Sequence, residues 1–295
     1  MNALVSHNAL DPVLTRIASG VWMMGEADFS AFLSRIVYDS APTRMKSAVM
    51  NAAAAGKDVM PWDKPGAFPT PSNVDGVAII PISGTMDFRL SNFEMWWYGL
   101  ADTARIDEWV TAAANDPAVK AIVLDINSPG GNAQGVPELA VTIQAARNAK
   151  PVIAYSDTLI ASAAYYAAAG ASAIYATGSS AIGSIGSYIA IYDYSKMLAD
   201  LGIELQLFKS GPLKGAGIMG KPLSEEQKAH FQDQVNRHAA AFKSFVISNR
   251  PAVQEASMQG QTLFGSDALT AGLIDSIAKR SAAMKDAKSL ANPRI

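Results

Sequence analysis

From about residue 77 onward two rhythms of apolar residues alternate along the chain. Short, nearly continuous apolar runs rich in β-branched residues ("VAIIPIS", "KAIVLDIN", "PVIAYSD", "SAIYAT") are bounded by Gly, Pro, Asn, Asp and Ser, the signature of strands buried on both faces. Between them, "RIDEWVTAAAND", "VPELAVTIQAARN" and "SAAYYAAAG" space their apolar positions as helices do. Strand, helix, strand, helix predicts a parallel sheet with right-handed crossovers, an α/β fold. Further on, "GSYIAIYDY" reads as another β-rich run, "SKMLADLG" as a helix and "IELQLFKSG" as a strand. Ser224 followed by Gln227 forms a capping-box pattern and predicts the start of a long helix in "LSEEQKAHFQDQVNRHAAAFKSFVIS". The last stretch, "AKRSAAMKDAKSLANPRI", predicts a helix that frays.

Before residue 60 the pattern is different. Helical pieces are expected in "DPVLTRIASGVWMMG", "DFSAFLSRIVYDS" and "RMKSAVMNAAAA", and the four prolines of "MPWDKPGAFPTPSNVDG" mark an extended linker. The expected organisation is a helical N-terminal extension over 1–60, a Pro-rich linker over 61–74, the main α/β domain over 75–279 and a tail over 280–295.

Composition narrows the function. With 295 residues, 49% of them hydrophobic and 17% charged, the chain is long enough to bury a substantial core. A formal net charge of -2 with both signs interspersed offers no basic stripe for nucleic acid and no polybasic patch for a membrane surface. There is no cysteine, which removes disulfides, thiol catalysis and cysteine metal sites and agrees with a cytoplasmic setting. Residues 158–192 carry no charge, but they are built of Ala, Ser, Gly and Tyr, a poor composition for membrane insertion. A buried core segment is the better reading. "IASGVWMMG" lacks the basic lead of a secretory signal.

Three places could carry chemistry. In "AIVLDINSPGGNAQG" an apolar strand runs into Pro129, Gly130 and Gly131; two glycines after a strand either make an ordinary turn or leave backbone N–H groups exposed to hold an oxyanion. Ser162 follows the strand expected over 151–155 and opens the helix of "SAAYYAAAG". There its hydroxyl is either an N-cap or a nucleophile, with the N–H of Ala163 beside it at the positive end of the helix. A nucleophilic serine needs a base. Of the three histidines, His7 lies near the N-terminus, and His230 and His238 stand eight residues apart on the long helix, a spacing that suits neither a metal pair nor a triad. Lysine remains. Lys209 and Lys214 in "LFKSGPLKGAG" follow an apolar run; they are either solvated loop residues or, if burial lowers a lysine's pKa by several units from about 10.4, a source of a neutral amine.

In order along the chain, "AIIPISGTM", "AANDPAVKAIVLDINSPGG", "IASAAYYAAAGASAIYATGSSAIGSIGSY", "KSGPLKG" and "TLFGSDALTAGLIDSI" resemble the SppA-type signal peptide peptidases, a family of Ser–Lys serine proteases. The resemblance runs from residue 75 to residue 277. It implies a ClpP/crotonase-like fold of repeated ββα units. It also implies Ser162 as nucleophile, Lys214 as general base, Ser184 as a serine that orients the lysine, and Gly130, Gly131 and Ala163 at the oxyanion hole, with no cofactor and no metal. Many cellular members carry glycines where this chain has Ala163 and Ala164, and an N-terminal membrane anchor; both departures resemble the phage-encoded branch, which processes capsid scaffolds. ClpP shares "NSPGG" but needs a histidine after the serine strand, and none stands there. The function implied is an endopeptidase acting through an acyl-enzyme on a polypeptide, a capsid or scaffold precursor, within a homo-oligomeric ring in the host cytoplasm or prohead. Alternatives are a cytoplasmic peptidase for signal-peptide remnants, a crotonase-like acyl-CoA enzyme using the same glycine donors, and an inactive scaffold protein.

Overall fold

The structure is a computed structural model and describes residues 22–24 and 64–291. In chain order its first elements are strands β1 (Trp22–Met24), β2 (Ser72–Val74), β3 (Val77–Ser83) and β4 (Met86–Asp87), then helix α1 (Asn92–Tyr98), β5 (Ala101–Asp102) and α2 (Thr103–Asn115). Next come β6 (Ala121–Asn127), β7 (Gly130–Asn132), α3 (Val136–Ala149), β8 (Val152–Ser156), β9 (Leu159–Ala161) and α4 (Ala163–Ala169). The chain continues with β10 (Ala173–Ala176), β11 (Ala181–Gly183), α5 (Ser195–Asp200), α6 (Glu225–Asn249), β12 (Thr262–Phe264), α7 (Gly265–Thr270), β13 (Ser276–Ile277) and α8 (Arg280–Ala291).

A repeat is visible in that order. A long strand, a short strand and a helix recur as β6–β7–α3 and β8–β9–α4; β3–β4 with α2 and β10–β11 are variants of the same unit. The long strands assemble one six-stranded sheet in the order β13-β10-β8-β6-β3-β2, while the short ones turn away into a four-stranded sheet, β1-β7-β4-β5, and a three-stranded sheet, β12-β11-β9. This is the expected fold of ββα units. In the main sheet only the β2–β3 pair is antiparallel, as helical crossovers require.

The continuous apolar runs follow from covering on both faces. Along β3, β6 and β8 the residues Ala78, Ile80, Ile122, Leu124, Val152 and Ala154 join the main core against α2 and α3. Their alternates, Val77, Ala121, Val123, Ile153 and Tyr155, pack under Ala283 and Ala287 of α8. The period of two is therefore hidden in the sequence, because both faces want apolar side chains. Salt bridges from Arg280 to Asp125 (2.8 Å) and from Lys288 to Asp75 (2.7 Å) flank α8; exposed as they are, they contribute little.

The charge-free run holds β9, β10, β11 and α4, and all seven residues of α4 are buried. Small residues let its neighbours come close: a Cβ on Gly170, just past its end, would stand 2.6 Å from the Ala140 carbonyl of α3. Tyr166 stacks on Phe245 and leans on Phe242 of α6, with ring centroids 5.0 Å and 4.7 Å away. Among the described residues no helix is long and apolar enough to cross a membrane.

Two expectations change. Trp22–Met24, expected inside a helical piece, is a strand paired with β7; the rest of 1–60 lies outside the described residues. The runs 186–194 and 203–211 form no regular strand. Much of their apolar surface is left unpacked, with Tyr192, Ile203 and Phe208 exposed. The capping box at Ser224 and Gln227 is present and starts α6.

Tyr165 ties α4 to the C-terminal part of the core. Its hydroxyl donates to the Leu273 carbonyl at 2.9 Å, and burial pushes the phenol's pKa well up, so it stays a donor. Tyr165→Phe leaves that carbonyl unpaired in the core and is expected to destabilise the fold by about 1–3 kcal/mol, read as a lower urea midpoint at unchanged slope.

Candidate active site

Ser162 sits at the joint between β9 and α4. Its backbone has φ 55° and ψ -119°, a left-handed conformation that a side chain disfavours by roughly 1–3 kcal/mol. The joint is held by a hydrogen bond from the Ser162 N–H to the Gly183 carbonyl (2.7 Å) and by the parallel register that pairs Ala161 with Gly183. Although Ser162 occupies the N-cap position of α4, its side chain makes no capping hydrogen bond. The hydroxyl is buried and unpartnered among the described residues. A buried hydroxyl without a partner is destabilising, so the N-cap alternative has no support in the geometry.

One residue beyond that register lies Ser184, which also has positive φ, 53°. Its N–H donates to the Gln261 carbonyl at 2.7 Å, and the residue is buried. Ser162 and Ser184 thus end two adjacent parallel strands side by side.

Across from them, Gly130 has φ 95°. A Cβ there would come within 2.7 Å of the Ala163 nitrogen and 2.8 Å of the Ser162 Cβ, and closer still to the Met23 carbonyl oxygen. Its bareness keeps open one small space bounded by the serine, the first N–H of α4 and β1. Gly131 answers to a different need: a side chain there would collide with the backbone of Met86, its partner in β4.

Ser128, which the motif reading passed over, is also part of the site. Its buried hydroxyl accepts the Gly130 N–H at 3.2 Å. Its backbone binds both sides of β9, donating to Leu159 and accepting from Ala161, each at 3.1 Å. Its signal lay in the sequence as the serine preceding Pro129, yet only the fold shows that this hydroxyl faces back onto the glycine. Behind β7, the buried Asn132 amide donates to the Asp87 carboxylate at 3.1 Å and steadies the strand.

The two lysines fare differently. Lys209 donates to the Pro212 carbonyl at 2.8 Å, and the Gln227 amide at the start of α6 donates to the same oxygen at 2.9 Å, so Lys209 serves to shape the loop. Lys214 is exposed, and no hydrogen bond joins it to the Ser162 hydroxyl. The structure therefore gathers Ser162, Ala163, Gly130 and Ser184 and does not join Lys214 to them. His230 pairs with Gln234 on α6 at 3.1 Å, and among the described residues no histidine partners the serine. Among the described residues no group of three acidic or histidine side chains could hold a metal ion. The arrangement offers two of the elements acyl transfer uses, an unengaged hydroxyl on a fixed elbow and a backbone donor beside it.

Comparison with known proteins agrees in kind. Capsid assembly protease C of Escherichia phage lambda is 26% identical over 291 residues, covering 97% of this chain and 64% of that one. Head-tail preconnector protein GP5 of Enterobacteria phage P21 is 29% identical over 224 residues, covering 75% and 44%. The chain spans less than two thirds of the length of either relative. An enoyl-CoA hydratase from Polaromonas sp. JS666 shares 16% identity over 75% of this chain and 74% of that one with a TM-score of 0.41, a likeness too distant to bear on mechanism. The profile of peptidase family S49 matches residues 144–294, a span that holds Ser162, Ser184 and Lys214, and the chain belongs to that family.

Proposed function

We propose that the protein is a serine endopeptidase in which Ser162 attacks a peptide carbonyl, and the observation that carries this reading is the buried, unpartnered hydroxyl on a left-handed elbow beside Gly130. The Ser162 Oγ–H bond breaks, its proton passes to the neutral amine of Lys214, and Oγ bonds to the carbonyl carbon. The oxyanion is received by the Ala163 N–H and by the Gly130 N–H, released from Ser128; Gly131 holds the strand against β4. Collapse breaks the C–N bond, the proton leaves on the amine, and water repeats the sequence to free the acid. A well-placed donor in such a hole is worth about 100- to 1,000-fold in rate. Ser184, ending the strand beside Ser162, orients the incoming ammonium.

Lys214, exposed in the single chain, must be brought against Ser162 to act as base. The segment that bears it also exposes Tyr192, Met197, Leu201, Ile203, Phe208 and Met219, a run of apolar surface that supports association with further copies of the chain. The substrate reading, a capsid or scaffold precursor, is supported by the lambda relative, whose similarity extends over nearly the whole chain.

A fluorophosphonate probe tests the nucleophile. Ser162→Ala is expected to abolish labelling and lower peptide hydrolysis by at least about 1,000-fold; persistent labelling at another serine sinks the assignment. Lys214→Ala should reduce labelling by about 100- to 10,000-fold while Lys209→Ala leaves it near wild type, and equal effects of the two would remove Lys214 as base. Ser184→Ala should lower turnover by roughly tenfold, the effect of one hydrogen bond, with little change in unfolding midpoint. Dilution followed by analytical ultracentrifugation should show activity disappearing with the oligomer.

A further inference from the structure

Strand β7 has neighbours on both edges. One edge is closed by β4, through Met86 and Gly131. The other is taken by β1, antiparallel, with Trp22 opposite Asn132, Met23 opposite Gly131 and Met24 opposite Gly130. As β1 advances from Trp22 to Met24 its partners step back from Asn132 to Gly130, so the chain runs toward Ser162. The Met23 carbonyl oxygen is the atom nearest to the missing side chain of Gly130, in the same small space as the Ser162 Cβ and the Ala163 nitrogen. The Met23 side chain is 1% exposed and belongs to the main core.

A polypeptide about to be cut must lie extended, its acyl side pairing with a strand edge and its chain directed at the nucleophile. The edge of β7 opposite β4 is such a lane, and in this chain it is filled by the chain's own N-terminal segment, antiparallel to β7 and running toward Gly130. On the reading of Ser162 as the nucleophile, we infer that Trp22–Met24 is a tethered occupant of the acyl-side lane, which keeps the site in a resting state until a substrate strand displaces it or the segment is released. Two features suit an occupant rather than a permanent strand. The pairing is three residues long, so a substrate strand that pairs over more residues has more main-chain hydrogen bonds to gain. The segment's covalent tether makes re-pairing intramolecular, so it blocks casual peptides and yields to one that pairs over a longer stretch.

The test uses the full chain with a site for a specific protease inserted after Gly66, an exposed position with open space around it. Fluorophosphonate labelling of Ser162 is timed before nicking, after nicking and washing, and after adding back a synthetic peptide of residues 16–28. Release is expected to speed labelling at least tenfold, and the peptide to reverse it in proportion to its concentration. Met23→Gly in the intact chain, which empties the buried position of the occupant, should shift labelling in the same direction. Labelling that stays unchanged or slows in the released protein, or loss of its circular dichroism signal on release, makes β1 a permanent part of the fold and overturns the inference. Absence of labelling in every form would instead remove Ser162 as the nucleophile, and the inference with it.

Discussion

The site depends on one backbone constraint, the left-handed turn at Ser162. A strand must end, a helix must begin, and the residue between them must bring its side chain up against Gly130. The turn is uphill for a serine, and the surroundings hold it. Ser162 N–H is fixed to Gly183, β9 is fixed to β11, and α4 behind it is buried along its whole length. None of these can shift without disturbing the core.

That explains why the surrounding sequence is so small and so apolar. Alanine fills α4 because its neighbours approach it closely, as the Ala140 carbonyl does beside Gly170. Glycine stands at 130 because any side chain would occupy the space the serine faces, and at 131 because β4 passes through the place a Cβ would take. The layered ββα plan brings these residues together: each long strand feeds the main sheet, each short strand turns off it, and the ends of β7, β9 and β11 meet where Gly130, Ser162 and Ser184 stand. β1 adds a fourth backbone to the same place.

Much of this was legible along the chain. The run "VAIIPIS" matches β3 residue for residue, and the alternation of strands and helices announced a parallel sheet. Ser162, Gly130 and Ser184 stood out by motif, and the fold sets them in one place. Less legible was whatever depends on a distant partner. Trp22–Met24 has no strand signal of its own, and its conformation is set by pairing with residues more than a hundred positions away. The apolar runs 186–194 and 203–211 look like strands, yet they form none and leave several large side chains exposed. Ser128 could not be distinguished from any serine before a proline.

The sequence by itself determined the periodicity, the two-faced burial of the main strands, the start of α6 and the identity of the groups able to do chemistry, because these rest on side-chain properties and local backbone preference. Only the tertiary structure decided which hydroxyl lacks a partner, which glycine faces it, which lysine is tied into its loop, and what occupies the edge of β7. Those depend on contacts between segments far apart in the chain, where packing and strand pairing override local preference.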